Sequence, residues 1–155
     1  MRRTSILLLL IPLVAACGGM KSTSQTSTSG DASTNFVKAG NNVCIASDKR
    51  IYKIGRLTRQ PAAWAATAAS ARTAIREMRA IKPPAAKAAA FRRMLQFGAA
   101  LTLSIQEVHD ALVKHNIETA AAAQIAAGRL QDRVHQAARD IGLTFCQQAL
   151  TNWPA

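Results

Sequence analysis

Residues 91–112 read FRRMLQFGAALTLSIQEVHDAL. Phe91, Gly98, Ile105 and Leu112 recur every seven residues, and Met94 or Leu95, Leu101 and Val108 fill the alternate positions. This is one apolar stripe along a helix, with the spacing of a bundle seam. On the N-terminal side, Pro83 and Pro84 follow Ile81-Lys82, and Pro61 follows Arg59-Gln60. Proline disfavours the helical state of the residue before it and suits the first turn of a new helix. Two breaks therefore separate three helical segments. Before Pro83, Trp64, Ala68, Ala71, Ile75 and Met78 step by four, three, four and three. Before Pro61, Cys44, Ile51 and Thr58 are seven apart, flanked by Ile54 and Leu57.

On the C-terminal side the boundary is softer. Asn116 within His115-Asn116-Ile117 can end a helix, and Thr119 can cap the next. One long helix remains the alternative there. A last apolar stripe uses Ala123, Ala127, Leu130, Val134, Ala137 and Ile141, and Gly142 reads as its stop, followed by a short helical turn over 144–152. The 155-residue chain is rich in alanine and only 5% aromatic, a composition that favours closely packed helices over a sheet. The fold expected is all-α: a four-helix up-down bundle over residues 41–155 with a short C-terminal helical turn.

The N-terminus is of another kind. Arg2 and Arg3 precede an apolar run from Ile6 to Val14, which ends in Ala15 and Ala16. The run is far short of the ~20 residues a spanning helix needs. It reads as a signal peptide. Leu13-Val14-Ala15-Ala16-Cys17-Gly18 resembles the lipobox of bacterial lipoproteins. The resemblance implies a lipoprotein signal peptide over 1–16, a diacylglyceryl group of palmitate-type chains on the Cys17 thiol, and cleavage before Cys17. It places the protein in the cell envelope, outside the cytoplasm and lipid-anchored. Gly18 in place of aspartate resembles a passenger for the outer membrane of a Gram-negative cell; in other cells the address is the outer face of the cytoplasmic membrane. Residues 17–40, mostly Ser, Thr, Gly and other small or polar types, read as a flexible tether, reaching about 26 Å on root-mean-square average.

The remaining cysteines are Cys44 and Cys146. In an up-down bundle the start of the first helix and the end of the fourth lie together, so topology brings them close in an oxidising compartment. A Cys44–Cys146 disulfide is expected, closing a loop worth roughly 4–5 kcal/mol in the chain-entropy model. Asn42-Val43-Cys44 at the start and Ile141-Gly142-Leu143-Thr144-Phe145-Cys146 at the end, around proline-separated Ala/Arg-rich helices, are similar to small secreted helical proteins of high-GC bacteria, especially actinobacteria. That resemblance covers 41–148. It implies the bundle and the bridge, and it implies no activity.

No chemistry-bearing motif stands out, so no enzyme, metal or cofactor is expected; an enzyme whose site leaves no motif is the remaining alternative. His109 and His115 are six apart and fall on different faces of a helix, whereas helical metal sites use ligands three or four apart. Glu107-Val108-His109-Asp110 lacks that spacing. Ser70 and Ser104 lie inside helices without a nucleophile elbow. Charge is more informative. Residues 49–93 hold twelve basic side chains and one acid, Glu77, whereas residues 94–155 hold four basic and five acidic ones. Lys49, Arg50, Lys53, Arg56, Arg72, Arg76 and Arg79 are the candidate contacts for an anionic partner: lipid headgroups, wall polymer or acidic protein. A solvated arginine-rich surface is the plainer reading of the same residues. Nucleic acid is not expected, because neither aromatic interleaving nor a base-reading motif accompanies the charge. The small residues facing the core, including Gly98 and Ala127, leave open a second role as a carrier of small apolar ligands, although close helix packing accounts for them too.

Overall fold

A computed structural model describes residues 29–57 and 59–147. Four helices form there: α1 (Ser29–Ile54), α2 (Pro61–Arg79), α3 (Ala88–Val113) and α4 (Ile117–Ile141). Short 3-10 turns at Ala85–Lys87 and Phe145–Gln147 precede α3 and follow α4. Consecutive helices are joined by short connections and pack antiparallel. The expected four-helix bundle and its Cys44–Cys146 disulfide are both present, with the two Cα atoms 5.1 Å apart.

The proline breaks fall where the sequence placed them: Pro61 is the first residue of α2, and Pro83 and Pro84 sit between α2 and α3. Helices three and four are separate. The α3 chain turns out at His115, whose φ of +56° is the left-handed conformation. Asn116 N–H then donates to Ala111 and His115 N–H to Leu112, the paired bonds of a helix-ending turn. Asn116, not Thr119, is the cap of α4: its Oδ1 accepts from the Thr119 backbone N–H at 3.0 Å. An Asn116→Ala variant is expected to lose about 1 kcal/mol in urea unfolding, whereas Thr119→Ala, which keeps the capping bond, stays within about 0.5 kcal/mol. At the other end of α4, Gly142 takes φ +81°, and Leu143 N–H bonds back to Ala138.

The first helix starts at Ser29, not near residue 41, so the tether expectation fails over 29–40. The reason is a small apolar face inside a polar composition. Phe36 is 2% exposed and meets Phe91 edge-on at 5.3 Å between ring centroids. Gly40 lets the closing turn approach so nearly that a Cβ there would stand 2.6 Å from Leu143 Cδ2. Phe36, Gly40 and Cys44 are four apart, one helical stripe continuing the one read from Cys44 onward. Residues 1–28, which hold the expected signal peptide, the expected lipidation site Cys17 and the first part of the expected tether, lie outside the described residues. So do Thr58 and the last part of the turn read over 144–152.

The core falls into two clusters. One gathers Trp64, Leu57, Val108, Leu112 and the alanines of α4's first half at the α3–α4 turn. The other gathers Phe36, Phe91, Met94, Ile141 and Leu143 at the disulfide end. Two buried hydroxyls are satisfied within their own helices, Thr67 donating to Ala63 O at 2.8 Å and Thr102 to Gly98 O at 2.9 Å, and a third, that of Ser70, accepts from Arg50 of α1. Packing is extensive between α1 and α2, α2 and α3, and α3 and α4. Between α4 and α1 there is no comparable helix contact. The closing turn bridges them, packing on both, and carries the disulfide. Phe145 N–H donates to Asn41 Oδ1 at 3.2 Å, and Lys87 Nζ donates to Ile141 O at 2.8 Å, securing the same end.

Candidate functional site

The described residues offer a partner the basic surface of α1 and α2, an apolar cavity inside the bundle, and a more polar recess of about 210 Å³ bordered by Leu57, Arg59, Trp64 and Gln124.

Arg72, Arg76 and Arg79 are all exposed and follow one another at helical spacing on α2. Their helix buries Trp64, Thr67, Ala68 and Met78 on another face, which fixes the arginine stripe outward. Lys49, Lys53 and Arg56 are exposed on or just after the neighbouring α1. Antiparallel packing of α2 on α3 brings Arg79, at the end of α2, to the same end of the bundle as the exposed Arg92 and Arg93. Arg50 differs from the other six. Its Nη1 and Nη2 donate to both carboxylate oxygens of Glu77 at 3.3 and 3.1 Å, and its Nε to Ser70 Oγ at 3.4 Å. It is committed to the α1/α2 interface and is the one Lys or Arg in an ion pair with an acid among the described residues. The single acid of the basic segment is thus spent on that inner arginine, and the outer ones keep their charge uncompensated.

At one edge of the stripe, Arg72 Nη1 donates to Gln106 Oε1 at 3.3 Å, and Gln106 Nε2 donates to Asp110 Oδ1 at 3.0 Å. His109 Nδ1 lies 2.8 Å from the same carboxylate oxygen. Hydrogen bonds from His109, then Gln106, hold the Asp110 carboxyl below the usual carboxylate range. This chain orients Arg72. It holds no nucleophile and no pair of acids.

The three histidines do not meet. His109 is engaged with Asp110, His115 is the exposed turn residue, and His135 is half-buried on α4. Among the described residues no three His, Cys, Asp or Glu side chains are grouped to hold a metal ion, and no helix is long and apolar enough to cross a membrane.

The cavity lies between the two core clusters. Its volume is about 120 Å³, it is partly open to solvent, and its walls are almost entirely carbon. Ile51 of α1, Ile75 and Met78 of α2, Met94 and Leu101 of α3, and Val134 of α4 contribute to it, so all four helices meet there. Gly98 also lines it, whereas Ala127, the other small residue noted in the sequence, is fully buried in the cluster around Trp64. The sequence signals only that small residues face inward; the structure separates a packing alanine from a glycine that leaves space.

The chain matches no protein-family model, no curated protein and no solved structure.

Proposed function

We propose that this protein is a lipid-anchored envelope module without catalytic activity, whose basic outer surface docks on phosphate-bearing components of the envelope. The lipid on Cys17 holds the chain at the membrane. Two or more acyl chains anchor stably, since each buried methylene contributes roughly 0.8 kcal/mol. Exposed Lys49, Lys53, Arg56, Arg72, Arg76 and Arg79 then face anionic headgroups or wall polymer within a Debye length. The observation that carries this reading is the unbalanced charge of residues 49–93, where the one acid, Glu77, is already taken by Arg50.

The test uses the mature chain, residues 17–155, with Cys17→Ala so that the lipid does not dominate. It should bind vesicles containing phosphatidylglycerol at low salt and release as salt rises through ~0.2 M. Arg72→Gln, Arg76→Gln and Arg79→Gln together should weaken binding by about two orders of magnitude, at about 1 kcal/mol for each arginine near the surface. Equal retention on neutral and anionic vesicles, or no loss in the triple variant, eliminates the reading.

A further inference from the structure

We propose that the cavity between the helices is a binding site for the end of a hydrocarbon chain, such as the tail of a single-chain fatty amphiphile. This rests on the interior of the bundle and not on the arginine surface, so the two readings stand or fall separately.

The chemistry of the cavity favours an apolar occupant. Protein interiors are close-packed, and a recess walled mostly by carbon offers water few partners, with Ser47, Thr67, Gln131 and His135 the polar residues that border this one. A void of about 120 Å³ walled by Ile51, Ile75, Met78 and Met94 therefore suits an apolar occupant. Its size is a little below the roughly 150 Å³ engineered cavity that admits benzene, which limits it to a short segment of chain. Met78 and Met94 supply flexible, polarisable walls that adapt to a chain's conformers.

The fold also leaves a way in. Three sides of the bundle are sealed by helix packing, and α4 and α1 are joined mainly through the closing turn. The cavity is partly open, and half-buried Ser47 on α1 and His135 on α4 line it. A chain end can enter at this seam while its polar head stays in water.

Gly98 points the same way. Glycine inside a helix is less favourable than alanine by roughly a factor of five in equilibrium terms. Nothing in the packing demands it: a Cβ there would meet Ile75 at 3.6 Å, an ordinary contact. The methyl group it lacks is space in the cavity.

The experiment labels the methionine methyl groups of the mature Cys17→Ala chain with ¹³C and titrates decanoate below its self-association, with acetate as control. Saturable shifts of the Met78 and Met94 methyls with decanoate alone are expected. Ala71→Leu, which places a larger side chain in the same cavity wall, should weaken binding at least tenfold. Where Ala71→Leu does not fold, Gly98→Ala serves instead; it should raise the melting temperature and weaken decanoate several-fold. Absence of saturable shifts overturns the proposal. So does unchanged decanoate binding in a folded cavity-filling variant.

Discussion

A Cys44→Ser, Cys146→Ser double variant is expected to lose about 4 kcal/mol of folding stability and roughly 15 °C of melting temperature. The two cysteines are 102 residues apart, so the bridge encloses almost the whole domain and removes a large share of the unfolded chain's freedom. Its place in the fold adds to that. The other three sides of the bundle are held by helix-on-helix packing, whereas α1 and α4 depend on the closing turn that carries Cys146. Without the bridge, Phe36 and Leu143 still hold this end by burial alone, and the first half of α1 should show the earliest amide exchange. Scanning calorimetry of the wild type with reductant should reproduce the variant's melting temperature. A transition unmoved by both reductant and substitution contradicts the account of how the seam is closed.

Trp64→Ala should cost about 4 kcal/mol, within the range for deletion of a buried aromatic side chain. Trp64 is 2% exposed and is the largest fully buried side chain of the bundle. It packs among Leu57, Val108, Leu112 and the alanines Ala68, Ala120 and Ala123. Alanine has no rotamers with which to close a void, so this site collapses poorly and the loss lies toward the upper part of the range. Small domains are stable by only 5–15 kcal/mol, so the variant should be substantially unfolded at moderate urea. Tyr52→Ala is the control: Tyr52 is 76% exposed, and its removal should stay within about 0.5 kcal/mol. Equal midpoints for the two variants contradict the assignment of Trp64 as the centre of its cluster.

Most of the fold was legible because its signals are local. Proline at positions 61, 83 and 84 breaks helices through its own ring and missing N–H, wherever the rest of the chain lies. The stripes at 64–78, 91–112 and 123–141 follow from the helical repeat. The Cys44–Cys146 pairing follows from up-down topology together with the oxidising compartment that the N-terminal signal implies. Nearly half of α1 escaped because residues 29–40 are mostly small and polar, and their one strong anchor, Phe36, gains its burial from Phe91, Leu143 and the end of α4, all distant in sequence. The cap of α4 lies three residues before Thr119, because Asn116 both leaves one helix and starts the next. The inner position of Arg50 was equally hidden: Glu77 is 27 residues away, and only packing of α1 on α2 brings the two together. Periodicity marks an inward stripe, but it does not say which pair of helices leaves a gap between them. The cavity therefore became visible only in three dimensions.

The proposed envelope role requires a lipid-anchored chain that folds where thiols oxidise, and one measurement addresses both halves: the intact mass of the protein recovered from the membrane fraction of cells expressing the whole chain. The expected species is residues 17–155 carrying a diacylglyceryl group, two hydrogens lighter than its reduced form, with no thiol open to alkylation until reductant is added. A species spanning residues 1–155 without lipid, and with Cys44 and Cys146 alkylated at once, would contradict the anchor, the bridge and the envelope role together.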